Sequence, residues 1–172
     1  MTEFETWKSR MRRSLAGFAD ASRRILGCEV DRGDNVVADA FDSARDLSIA
    51  SSELREFYTV VGEVSLPDVH VGYFVHPAER LAVAPDWGLP RKLETVVKGD
   101  VETFGSDGGG GLFASAIRDG SIYYLPPGRI EGDVYYGGMG DPRVVGKDLA
   151  DFLDALLRIV DEVTETGSTS GF

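Results

Sequence analysis

Between residues 101 and 136 the chain sets four short apolar runs in quick succession, at 101–104, 112–117, 121–125 and 134–136. Parallel strands need a crossover of a dozen or more residues, usually a helix, and the gaps after Leu112 leave no room for one. The runs therefore predict adjacent strands joined by tight turns in a mainly antiparallel sheet. The first gap holds the bend Phe104-Gly105-Ser106-Asp107-Gly108-Gly109-Gly110-Gly111-Leu112-Phe113. Glycines there allow backbone reversal with positive φ or close packing against the chain. Gly105, Asp107, Gly108, Gly109, Gly110 and Gly111 are accordingly read as a structural turn, with ligand contact as the alternative. A phosphate loop does not fit, because the Gly-Lys-Ser/Thr ending is missing and Leu112-Phe113 announces a strand, not a helix N-terminus. Asp119-Gly120 marks a second tight turn.

Upstream, Val69, Val71, Tyr73 and Val75 alternate with His70, Gly72 and Phe74, which predicts a strand, and 93–97 predicts another. The sheet is thus expected between residues 69 and 136. Pro77, Pro85 and Pro90 make 77–91 mostly loop, with about one turn of helix. Helices are expected at 4–26, 52–61 and 147–163. Phe4, Trp7, Met11, Leu15, Phe18, Ile25 and Leu26 form one stripe, and Gly27 stops it. Ser51 caps the second helix, and Gly62 ends it. In the third, Leu149, Phe152, Leu153, Leu156, Val160 and Val163 share a face opposite Asp148, Asp151, Asp154, Asp161, Glu162 and Glu165. Residues 164–172 read as a flexible tail. The expected fold class is α+β, a single domain over residues 1–172 with N-terminal, middle and C-terminal helices packed on the sheet.

Composition narrows the function classes. The net charge is −11, yet residues 1–27 carry +3, so the remainder holds −14. That balance disfavours nucleic acid, which demands clustered Lys and Arg, and favours a basic protein partner. Solubility alone is the competing explanation of the charge. The N-terminal helix is basic and amphipathic, as membrane-surface helices are, but Glu3, Glu5 and Asp20 dilute that signal and core packing explains the stripe. No apolar run approaches the ~20 residues of a membrane span, and Met1-Thr2-Glu3-Phe4-Glu5 carries acids where a secretory leader carries bases. Cys28 stands alone, which excludes an intrachain disulfide and multi-cysteine metal sites. The expected location is cytoplasmic.

Candidate chemistry is sparse. His70 and His76 lie an even number of residues apart on an expected strand and its end, but no third metal ligand stands at a sensible spacing, so both read as surface histidines. No Gly-x-Ser-x-Gly elbow occurs. Asp86-Trp87-Gly88 offers either an interface anchor beside a charge or a tryptophan folded back over the core, and the latter is expected. Tyr123-Tyr124 and Tyr135-Tyr136 place one aromatic on each face of their strands. Asp148, Asp151 and Asp154 line one edge of the last helix, where acids also complement the helix dipole. The candidate partner-binding residues are therefore Asp148, Asp151, Asp154, Asp86, Trp87, Tyr123 and Tyr124.

Ser52-Glu53-Leu54-Arg55-Glu56-Phe57-Tyr58 ending in Gly62, the Phe104–Phe113 bend, Gly132-Asp133-Val134-Tyr135-Tyr136, and Asp151-Phe152-Leu153-Asp154-Ala155-Leu156-Leu157 come in an order that resembles the SUKH superfamily, nearest its SMI/KNR cell-wall-regulator-like group. The resemblance covers residues 49–163, with 1–48 supplying the N-terminal helix and a connecting segment. It implies a bent, mainly antiparallel sheet and no catalytic centre; the residues themselves lead us to expect no cofactor and no metal. It also implies a bacterial immunity protein that binds and neutralises a toxin domain, such as a nuclease. A regulatory or scaffolding protein with an endogenous partner is the alternative, and an enzyme using carboxylates such as Asp107 and Asp133 is a third. The oligomeric state stays open.

Overall fold

The computed structural model describes residues 2–41 and 48–172. The connecting segment expected after the first helix includes residues 42–47, which lie outside the described residues. The architecture is α+β, with a large, unclosed, mainly antiparallel sheet and helices at the start, middle and end of the chain.

Strand β5 (Lys98–Asp107) organises the sheet. One of its edges pairs along Val101–Ser106 with β6 (Leu112–Ala116), which pairs β7 (Ile122–Leu125), which pairs β10 (Arg143–Gly146). Its other edge is divided. The C-terminal part pairs β3 (Tyr73–Val75), followed by β2 (Val61–Leu66) and β1 (Val36–Asp39). The N-terminal part pairs β4 (Lys92–Glu94), followed by β9 (Val134–Gly138) and β8 (Gly128–Glu131). Among the described residues only the β4–β9 pair is parallel. One long strand thus feeds two arms, and alternation sends its neighbours' side chains to two cores. Phe113, Ile122 and Tyr124 join the main core, whereas Ala114, Tyr123 and Leu125 join a smaller one with Leu93, Val101 and Tyr135.

The main core lies under two long helices, α1 (Glu3–Leu26) and α4 (Leu149–Thr166). A reciprocal capping box starts α1: Glu5 N–H donates to Thr2 Oγ1 (3.2 Å), and Thr2 N–H donates to Glu5 Oε2 (2.7 Å). Gly27 and Gly167, both left-handed, end the two helices. The helices run side by side in one direction. Trp7 Nε1 donates to Leu153 O near their starts (2.8 Å), and Arg24 donates to Thr164 O near their ends (2.9 Å). The shorter α2 (Ser52–Tyr58) is tied into both layers. Glu102 on β5 accepts the Ala50 and Ser51 N–H groups, and Glu53 accepts Leu149 N–H at the start of α4.

Several expectations need correction. The second helix ends at Tyr58, and Gly62 belongs to β2. A Cβ on Gly62 would stand 2.3 Å from the Asp39 carbonyl oxygen, so this glycine permits close pairing with β1 and does not stop the helix. The alternation at 69–75 is only half strand. Pro67 denies a ladder donor, His70 takes φ 55° and Gly72 φ 84°, so the strand starts at Tyr73. The sheet extends beyond 69–136, from Val36 to Gly146. Residues 77–91 hold the five-residue helix α3 (Ala78–Ala82) and a 3-10 turn, Ala84–Trp87.

The tail is not loose. The Phe172 ring stacks on Phe152 (centroids 4.9 Å apart) and meets Phe113 (5.2 Å) and Tyr73 (5.4 Å), while Arg143 donates to Phe172 O (3.0 Å). Phe172→Ala is expected to cost about 2 kcal/mol, below the 3–5 of a fully buried Phe because the ring is half-buried. A urea midpoint unchanged from wild type would return this segment to the status of a frayed end.

Candidate functional site

At the N-terminus of α4 the three singled-out aspartates have different roles. Asp148 is the N-cap and accepts Asp151 N–H (2.8 Å), and Asp151 accepts the N–H of Lys147, the residue before the cap (3.1 Å). Asp154 points to solvent and meets Arg10 of α1 at 3.4 Å. The exposed stripe of α4 therefore runs Asp151, Asp154, Arg158, Asp161 and Glu165, at alternating spacings of three and four. Arg158 is neutralised in place by Glu162 (2.9 Å). Hydrogen bonds from Thr169 and Arg158 hold the Glu162 carboxyl below its usual range. Two of the three expected contact aspartates thus serve the helix first, and Asp161 and Glu165, which make no side-chain hydrogen bond or ion pair among the described residues, lie further along.

Trp87 is 59% exposed and covers no core, contrary to expectation. The core positions of its segment are Ala78, Leu81, Ala84 and Leu89, and the 3-10 turn leaves Asp86 and Trp87 outside. The Arg80 guanidinium lies over the indole, 4.6 Å from its centroid. Among the described residues no hydrogen bond, ion pair or ring contact joins Asp86 or Trp87 to the aspartates of α4.

Tyr123 and Tyr124 are both half-buried, because each face of β7 has its own core. Neither forms an open sheet face. Tyr124 donates to Asp107 Oδ2 (2.9 Å) beneath the Arg143 guanidinium (4.3 Å), and burial, then that bond, push its phenol up to about 12. Asp107 Oδ1 accepts the N–H groups of Gly109 (2.9 Å) and Gly111 (2.7 Å), closing the β5–β6 hairpin. Gly105 and Gly108 pass so close to the Phe74 and Val71 carbonyls that a Cβ would stand 2.5 and 2.1 Å away. Gly110 takes φ 89°, and a Cβ on Gly111 would collide with the Tyr124 ring. Asp107 is engaged in this turn, whereas Asp133 sits in the β8–β9 turn.

The histidines separate. His70 is exposed, with Nδ1 3.0 Å from Tyr73 Oη. His76 is buried, contrary to expectation, with Nε2 2.9 Å from Ser106 Oγ and, among the described residues, no partner for Nδ1. Desolvation, aided by the Arg80 charge, lowers its pKa to about 4. A serine nucleophile needs a base oriented by a third group, and no such group meets Nδ1 among the described residues. No group of three or more His, Cys, Asp or Glu side chains among the described residues could hold a metal ion. Nor is any described helix long and apolar enough to cross a membrane.

Sequence reasoning missed a groove of about 520 Å³ between α3 and the junction of β4, β5 and β9. Its apolar floor comes from Leu81, Ala82, Ala84, Val101 and Ile117, and Asp100, Glu102 and Asp133 add carboxylates. Asp133 had a sequence signal. Asp100 and Glu102 had none beyond their place on a charged strand. Comparison with protein-family models, curated proteins and solved structures finds no match to this chain.

Proposed function

We propose that this protein is a non-enzymatic protein-binding module of the immunity type, which binds and neutralises a basic toxin domain such as a nuclease. The reading follows the resemblance to the SUKH superfamily. The observation that supports it is the distribution of charge: −14 outside the first 27 residues, with Asp154, Asp161 and Glu165 displayed along the outer face of α4. A nuclease needs a basic surface to hold phosphate, and an acidic inhibitor is steered to such a surface from a Debye length away.

The test is co-expression with the C-terminal domain of a secreted protein encoded beside this gene. Protection of the host together with a purified complex is the expected result, and a toxic domain that neither binds nor is neutralised would overturn the reading. Asp148 and Asp151 are poor positions for dissecting the surface, because they cap α4. The combination Asp154→Asn, Asp161→Asn and Glu165→Gln removes the charge while sparing the caps. It is expected to slow association about tenfold at low salt and flatten the salt dependence. Stability should change little, since exposed charges contribute about 0–1 kcal/mol each. An unaltered rate and slope would leave the α4 stripe as a solvated face.

A further inference from the structure

We propose that the groove between α3 and the β4–β5–β9 junction is the docking site for a lysine- or arginine-bearing loop of the basic partner; this inference rests on the protein-binding reading above. The groove has the two parts such a side chain needs. Leu81, Ala82, Ala84, Val101 and Ile117 give an apolar floor on which a methylene stem can lie. Ile117 is 45% exposed although it ends an apolar run, so the outer part of the floor meets water, while Leu81, Ala84 and Val101 are buried beneath it. At the wall, Asp100 and Asp133 are exposed carboxylates with no side-chain hydrogen bond or ion pair among the described residues. The register holds them on either side of β4. Asp100 stands opposite Lys92 on β5, and Asp133 O accepts the N–H groups of Arg91 and Lys92.

The cations already in the groove make no ion pair with Asp100 or Asp133 among the described residues. The Arg91 guanidinium is turned onto the carbonyls of Leu81 (3.3 Å) and Ala82 (3.0 Å). Lys92 Nζ is 3.4 Å from Glu94. Glu102 is also committed, since both its oxygens accept backbone N–H groups at the entry to α2. What the site lacks is a cation paired with Asp100 and Asp133. A bare metal ion would leave the floor unused, and an apolar segment would bury Asp100 and Asp133 unpaired. Ala84 opens the turn that carries Trp87, so an exposed aromatic lies next along the chain from the floor, as interface anchors do.

The test uses a tetralysine peptide as probe, titrated into the full ¹⁵N-labelled chain at low salt. The largest amide shifts are expected at Ala82, Asp100, Ile117 and Asp133. The pair Asp100→Asn and Asp133→Asn should weaken peptide binding about tenfold, the worth of two partly exposed ion pairs. The melting temperature is expected to stay unchanged, as both side chains are exposed. A charge-matched control, Asp161→Asn with Glu165→Gln, should leave the groove shifts in place. Shifts confined to α4, or groove shifts that survive the Asp100/Asp133 pair, would overturn the docking site while leaving the basic-partner reading standing. A peptide that shifts no amide would overturn the docking site outright, and toxin neutralisation is then decided by co-expression alone.

Discussion

Trp7→Ala is expected to destabilise the protein by about 4 kcal/mol, a large share of the 5–15 kcal/mol that holds a typical domain. Trp7 is 4% exposed and sits where three helices meet. Its ring packs against Phe57 of α2 at 6.1 Å, and its indole N–H donates to Leu153 O of α4 at 2.8 Å. Truncation leaves a cavity between α1 and the rest of the core and takes away the donor from a buried carbonyl that α4 also uses. Trp7→Phe keeps much of the volume but loses the donor, and is expected to cost about 1–2 kcal/mol. Urea unfolding followed by far-ultraviolet circular dichroism checks both. A loss below about 1 kcal/mol for Trp7→Ala would mean that α1 is a peripheral addition rather than part of the core.

The same residue shows why the helices were legible in the sequence. Trp7 belongs to a stripe at helical spacing that buries one face and leaves the other charged, and α4 repeats that pattern. Such elements can be read from their own residues. The missed strands cannot. β8 and β10 are four-residue edge strands, too short to show a clear alternation, and their strand character comes from the partners beside them. β2 was hidden by Gly62, whose role depends on the approach of Asp39 from a strand more than twenty residues upstream. Phe172 joined the core through Phe152, Phe113 and Tyr73, none of them near it in the chain.

The candidate site followed the same division. The acids of α4 were visible because they recur on one helix face, but the capping duties of Asp148 and Asp151 emerge only from hydrogen-bond geometry. Trp87 was expected inside because loop tryptophans commonly fold back. Here Ala84 and Leu89 take the core positions around it, and Arg80 covers its ring. The groove under α3 is assembled from residues scattered along the chain between Ser48 and Asp133, so no local pattern announces it.

Stability is expected to fall by about 2 kcal/mol between pH 7 and pH 5, and His76 is the cause. Its ring is buried against Ser106, and the groups that bear on it are the Arg80 charge of α3 and the Ser106 hydroxyl of β5. Burial, then Arg80, lowers its pKa from 6.5 to about 4. In that interval the unfolded chain binds a proton that the folded chain refuses. The folded state therefore loses ground as the pH drops from 6.5 towards 4, and the contribution is complete above 6.5. Arg80 also lies over the Trp87 ring, so the side chain that opposes protonation of His76 also covers part of the exposed tryptophan. Urea midpoints at pH 7, 6 and 5 should trace the slope in wild type and in His70→Gln, whose ring is exposed. His76→Gln keeps a polar group near Ser106 but cannot titrate, and its midpoint should be nearly flat over the same range. An equal slope in His76→Gln would assign the acid sensitivity to the carboxylates and leave His76 without a role in it.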